Sequence, residues 1–237
     1  MRRLQSMVCK MKLFKSPALL LSLLLCFTSF ANAGGIVIGG TRVIYNGSAK
    51  EASINVQNNS TTSPFLLQSW VENSDEKGRA PFLVTPPLFR IEPQEKNTLR
   101  INKLNQTLPS DRESLFFLNI RAIPSSDKNA VNTLKLVVKS KIKLFYRPAG
   151  LSEGADTAWK QLRFTLSNHT LTVENPTPWH VVFSSLKVGT TLLKDAETLT
   201  PFSKKSFNFD AKESSHTVTW QVIDDFGGTS EPASRQL

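Results

Sequence analysis

Leu134-Lys135-Leu136-Val137-Val138-Lys139-Ser140-Lys141-Ile142-Lys143-Leu144 alternates apolar and mostly polar residues. Side chains in β structure repeat every two residues, so Leu134, Leu136, Val138, Ile142 and Leu144 share one face of a strand, and Lys135, Lys139, Lys141 and Lys143 the other. A two-faced strand of this length is either half-buried in its own sandwich or an exposed edge that pairs with another chain. Charged clusters bracket it: Asp111-Arg112-Glu113 with the run Leu115 to Ile123 on one side, Arg147-Pro148 on the other.

Outward from this stretch, the chain after Gly34 reads as short β runs separated by Gly, Pro, Asn and Ser, with no helical apolar period sustained. Thr41 to Tyr45 stops at Asn46-Gly47, and Ala52 to Gln57 at Asn58-Asn59, both turn signals. Phe65 to Val71, Phe82 to Val84, Leu88 to Ile91, Thr98 to Ile101, Leu115 to Ile123 and Leu134 to Phe145 complete a first set. Arg147-Pro148-Ala149-Gly150 breaks the pattern, and Ser152, Glu153, Gly154 and Asp156 form a polar linker. A second set comprises Leu162 to Leu166, Leu171 to Glu174, His180 to Val188, Lys205 to Phe209 and Thr217 to Ile223. Short strands at this spacing predict an all-β protein of two β-sandwich domains, residues 34–150 and 151–237. Trp70, Trp159, Trp179 and Trp220 are expected as core aromatics. Because the chain ends nine residues after Gly228, the last strand of the second sandwich is expected to be short or missing.

Arg2, Arg3, Lys10, Lys12 and Lys15 precede an apolar run, Ala18 to Phe30, that leads to Ala31-Asn32-Ala33. That order is a secretory signal peptide, residues 1–33, and a run of 13 residues is short of the ~20 needed to span a bilayer. Translation can start at Met1, Met7 or Met11, and Cys26 follows Leu25 rather than a small residue, against a lipoprotein site. Cleavage leaves 24 basic against 19 acidic residues, so the formal charge falls from +10 to +5. Half the basic excess is therefore targeting signal and does not argue for nucleic acid. Cys9 and Cys26 leave with it, and the mature chain must be stabilised by its core without disulfides.

Leu108-Pro109-Ser110-Asp111-Arg112-Glu113-Ser114-Leu115-Phe116-Phe117-Leu118-Asn119-Ile120-Arg121-Ala122-Ile123-Pro124 resembles the signature of the periplasmic pilus (fimbrial) assembly chaperones. Gly40 to Tyr45, Gln68 to Asn73, Thr85-Pro86-Pro87, Arg90-Ile91-Glu92-Pro93, Thr133 to Pro148, Glu174 to Pro178 and Asp224-Asp225-Phe226-Gly227-Gly228 join it in order. The resemblance implies two immunoglobulin-like domains in an L or boomerang arrangement with an interdomain cleft, in the periplasm, serving pilus subunits and an outer-membrane usher. It implies a homo-oligomer capping its own edge when no subunit is bound, and no cofactor, metal, nucleic acid or membrane span after signal cleavage. Nine residues between Pro124 and Leu134 resemble the family's short-loop branch. The resemblance assigns Arg42 and Lys143 to the subunit's C-terminal carboxylate, Leu134, Leu136 and Val138 to the donated strand, and Glu113, Arg147 and Asp225 to an interdomain charged network. A forked guanidinium and a compact ammonium suit the two oxygens of a carboxylate. Asn132, polar and on the same face, is expected either to end the apolar ladder at Leu134 or to meet a polar pocket in the subunit.

Two other classes compete. His169, His180 and His216 are the only histidines, none in a nucleophile or metal motif, and no cysteine survives cleavage, which speaks against an enzyme. A secreted two-domain adhesin is the alternative binding module. Its Asn-x-Ser/Thr sequences at Asn46, Asn58, Asn59, Asn105 and Asn168 would carry glycans only in a eukaryote.

Overall fold

The computed structural model describes residues 34–125, 134–194, 196–209 and 216–237; the expected signal peptide and Asn132 lie outside them. The first sandwich contains β1 (Ile36–Ile38), β2 (Arg42–Asn46), β3 (Ala52–Asn58), β4 (Phe65–Asn73), β5 (Phe82–Thr85), β6 (Leu88–Ile91), β7 (Lys96–Lys103), β8 (Ser114–Pro124) and β9 (Val138–Arg147). One sheet has the order β1-β3-β7-β5 and the other β2-β9-β8-β4-β6. Leu67, Ile91, Leu99, Ile101, Leu118 and Leu144 are fully buried between them. Period-two patterning is what produces this core, as in β4, where Leu67, Ser69 and Val71 point inward while Leu66, Gln68 and Trp70 point outward. Trp70 is thus not a core residue. Its ring lies on the outer face, between the guanidinium of Arg121 at 5.1 Å and the ammonium of Lys139 at 5.6 Å.

The first edge of the chain changes sheet, which sets up everything at β9. β1 pairs with β3, and after Gly39-Gly40-Thr41 the chain reappears as β2 in the opposite sheet, parallel to β9. Arg42 faces Lys143 and Asn46 faces Arg147 in that register. On its other side β9 pairs with β8 from Tyr146↔Ser114 back to Val138↔Ala122. Since β2 begins at Arg42, the outer edge of β9 from Val138 to Ile142 has no strand against it among the described residues. The alternating stretch read as a strand from Leu134 becomes regular only at Val138, where the pairing with β8 begins. Its apolar face is split: Ile142 and Leu144 are buried, while Leu134, Leu136 and Val138 are 87%, 71% and 58% exposed.

The second sandwich comprises β10 (Arg163–Ser167), β11 (Thr170–Asn175), β12 (Val181–Val188), β13 (Thr191–Leu192), β14 (Thr198–Leu199), β15 (Ser203–Asn208), β16 (Thr217–Val222) and β17 (Ala233–Gln236). β10-β11-β15 form one sheet and β13-β12-β16-β17 the other, with β14 beside β12. The last strand is present but short, β17 pairing with β16 from Trp220↔Ala233 to Thr217↔Gln236. Trp220 is a core residue stacked 4.5 Å from Phe164. Trp159 packs on the margin of that core, and Trp179 is half-buried, donating its indole N–H to the Leu151 carbonyl at 3.2 Å. The linker expected from its polarity contains one short 3₁₀ turn, Ala149–Leu151, and a second, Ala158–Gln161, follows it.

Burial separates structural from presented residues on one pleat. Leu118→Ala should lower stability by about 2–5 kcal/mol through the cavity it leaves, whereas Leu136→Ala should change it by less than about 0.5 kcal/mol. Urea unfolding of both variants checks this, and equal losses would place Leu136 in the core.

Candidate functional site

The open edge of β9 runs into a cleft between the sandwiches at the point where Lys143 meets Arg42. Arg42 is half-buried, and its Nη1 donates to the Ile223 carbonyl at 3.0 Å. Its guanidinium carbon lies 5.9 Å from the Phe145 ring centroid. Nε of Arg42 is buried and makes no hydrogen bond among the described residues. Burial pulls the guanidinium down from its ordinary pKa, opposed by the charges of Asp225 and Asp224, and it remains a cation. Lys143 is half-buried opposite, and its ammonium forms no hydrogen bond or ion pair among the described residues. Two cations whose donors are incompletely used, on adjacent strands at equal height, make a receptor for an anion with two acceptor oxygens.

Arg147, four residues further along β9, fastens the two sandwiches together. Its Nε donates to Glu113 Oε1 at 2.7 Å, and its Nη1 and Nη2 donate to the two oxygens of Asp225 at 2.7 and 3.0 Å. Glu113 stands just before β8 and Asp225 just after β16, so one guanidinium links the expected trio. Glu113 has a further partner: its Oε2 accepts the backbone N–H of His180 at 2.9 Å and lies 3.2 Å from His180 Nδ1. Nothing in the local pattern distinguishes His180 from His169 or His216, and its place in the network is visible only in three dimensions. Burial would raise the Glu113 pKa. The side-chain bond from His180, the charge of Arg147 and the His180 backbone N–H outweigh it and hold the carboxyl below its ordinary value. Burial likewise acts to lower Arg147, but its bonds to Asp225 and the charge of Glu113 raise it on balance. The Glu113 N–H donates to the Pro178 carbonyl at 2.9 Å, and Arg112 covers the Phe202 ring at 5.0 Å, extending the same seam.

The polar face of the open segment is held down while its apolar face is not. Lys139 sits over Trp70, and Lys141 sits 4.0 Å from the centroid of Phe117 and pairs with Glu76. Under the apolar face, Leu136 and Val138 join Ile36, Ile38, Phe65 and Ile120 around an open pocket of about 370 Å³. The segment is therefore oriented, with Leu134, Leu136 and Val138 presented and a backbone edge beside them that no strand pairs among the described residues. Among the described residues, no group of three or more His, Cys, Asp or Glu side chains could hold a metal. Nor is any described helix long and apolar enough to cross a membrane.

Residues 35–152 match the N-terminal domain of the PapD-type pili and flagellar-assembly chaperones, and residues 157–234 match the C-terminal domain of the pili assembly chaperone PapD. The chain belongs to the pili assembly chaperone family. It is 38% identical over 229 residues to a probable fimbrial chaperone LpfB of Escherichia coli O157:H7, covering 95% of this chain and 99% of that one. It is 42% identical over 215 residues to the chaperone protein FimC of Escherichia coli K12, covering 88% of each. Among solved structures, the chaperone is similar to a chain of the Salmonella enterica SafA pilin in complex with the SafB chaperone. The TM-score is 0.79 at 35% identity, over 86% of this chain and 96% of that one. The Escherichia coli chaperone DraB superimposes with a TM-score of 0.77 at 36% identity, over 86% of this chain and 99% of that one.

The depressed pKa of Glu113 gives the interdomain network a pH signature. Its stabilising contribution is complete above the unfolded-state value, about 4.3, and is lost as pH falls through the lower folded value. Glu113→Gln should therefore be less stable than wild type by about 1–3 kcal/mol at neutral pH, and the gap should close under acid. Denaturation across that pH range measures it; a gap independent of pH would remove the carboxylate charge from the account.

Proposed function

We propose that this chaperone holds a pilus subunit in the periplasm by clamping its C-terminal carboxylate between Arg42 and Lys143. It then adds the strand bearing Leu134, Leu136 and Val138 to the subunit's incomplete sandwich, and passes the subunit to an outer-membrane usher. The observation that carries this reading is the edge of β9: uncovered from Val138 to Ile142 among the described residues, apolar on one face, and ending at the Arg42–Lys143 pair. A chain end anchored there would run along that edge, so main-chain hydrogen bonds supply affinity and the alternate side chains supply specificity. Each of the three apolar side chains could contribute about 1.5–3 kcal/mol on full burial, less the cost of ordering both segments.

Residues 34–150 would carry the donor strand, and residues 151–237 would close the cleft. The Glu113, Arg147 and Asp225 network sets the geometry between them, since a buried network of this type offers more in fixing an arrangement than in net stability. No covalent chemistry or nucleotide is needed, because folding of the client is driven by the surface it buries. Whole-chain similarity to fimbrial chaperones supports this reading over a free-standing adhesin, as does a solved relative bound to a pilin.

Arg42→Ala and Lys143→Ala should each abolish recovery of a co-expressed cognate subunit from the periplasm while leaving the chaperone's own unfolding transition close to wild type. Unchanged subunit levels in both variants would overturn the carboxylate anchor. Leu136→Asn should weaken the complex, with faster dissociation, and leave the isolated chaperone folded.

A further inference from the structure

Phe226 stands at the lip of the cleft with 96% of its surface exposed. Exposed aromatic rings are common on mobile loops, but the turn that carries this one is fixed on every side. Asp224 Oδ1 accepts the N–H groups of Phe226 at 2.9 Å and Gly228 at 2.7 Å, and the Asp224 N–H donates to the Gly228 carbonyl at 2.9 Å. Arg147 holds Asp225 from the first sandwich, and Arg42 holds the Ile223 carbonyl. Gly227, at φ +87°, lies so close to Thr41 that a Cβ there would sit 2.4 Å from Thr41 Oγ1. Only glycine meets both demands. The turn thus spans the cleft and rests on the residue next to Arg42, yet its largest side chain is left in solvent.

The surroundings define what the ring could cover. Phe226 lines the same cleft of about 330 Å³ as Arg42, together with the apolar side chains of Phe145, Val182 and Val222. Of the turn's two aspartates, Asp225 is paired with Arg147, and Asp224 turns Oδ1 toward the N–H groups of its own turn. A polypeptide whose terminal carboxylate sits at Arg42 and Lys143 would lay its last side chains between Phe145 and Phe226. We propose that Phe226 is a specificity-determining residue of the carboxylate site, closing over the last side chains of the bound chain and selecting large apolar or aromatic residues over small polar ones. This rests on the anchoring role proposed for Arg42 and Lys143. The exposure of the free ring then has a physical purpose, since a ring carried on a held backbone turn has only its own side-chain freedom to lose on binding.

The test uses the purified chaperone and three short fluorescent peptides of alternating Val and Thr, ending in Phe with a free carboxylate, in Ser with a free carboxylate, or in Phe amide. Fluorescence anisotropy should show the Phe acid bound about three- to tenfold more tightly than the Ser acid, the range one aromatic contact supplies. Phe226→Ser should bring that ratio to about one, Phe226→Tyr should keep it, and both should keep the preference for acid over amide. Arg42→Ala should lose the preference for acid over amide. If Phe226→Ser retains the Phe-over-Ser ratio, the proposal is overturned and the anchor stands. If Arg42→Ala retains the acid preference, the anchor itself is wrong and the proposal falls with it.

Discussion

A parallel strand that stops short governs this molecule. β2 covers the outer edge of β9 only from Lys143 onward, because the chain before it has crossed to the opposite sheet through Gly39-Gly40-Thr41. An uncovered edge invites pairing with any available strand, and proteins ordinarily blunt such edges with charge or distortion. Here the charges are on the wrong face to do so. Lys139 and Lys141 lie against Trp70 and Phe117 on the outer surface, which pins the segment and leaves Leu134, Leu136 and Val138 facing out. In the proposed complex, the Arg42–Lys143 pair at the closed end of this edge would set where the partner's chain terminates.

The second sandwich matters through its grip on that closed end. Arg147 takes Glu113 with one arm and Asp225 with the other, and His180 completes the coordination of Glu113. Taking these charges out of water carries a desolvation cost that nonpolar packing would avoid. What the network achieves is placement: it brings the Asp224–Gly228 turn over β2, with the Ile223 carbonyl on Arg42 and Gly227 on Thr41. A cleft with cationic residues on one wall and an aromatic lip on the other follows from that placement.

The all-β class was legible because period-two alternation and turn residues recur along the chain; the buried set of β4 follows that alternation, while Asn119 in β8 and Phe145 and Arg147 in β9 are buried on the opposite face. Alternation names two faces without saying which is inside, and Trp70 shows the consequence. Its strand has apolar residues on both faces, Leu67 and Val71 against Leu66 and Trp70, and the choice is made by the neighbouring sheet. Arg42 and Lys143 are far apart in sequence, and only the family resemblance linked them; the parallel register of β2 and β9 puts them side by side. His180 carried no local signal, since its role depends on a seam between two domains. The strand at Ala233–Gln236 was also hard to read, because its residues are mixed in polarity and its pairing with β16 supplies most of its definition.

Backbone hydrogen exchange across β9, read with and without a bound pilus subunit, tests the central claim most directly. In the free chaperone, the Val138–Ile142 amides that point away from β8 should exchange rapidly, while those of Leu144 to Arg147, covered on both sides, should be slow. Subunit binding should slow the first group by the orders of magnitude typical of a paired strand. If those amides are already protected in the free protein, or stay fast in the complex, β9 is not the edge that the subunit completes.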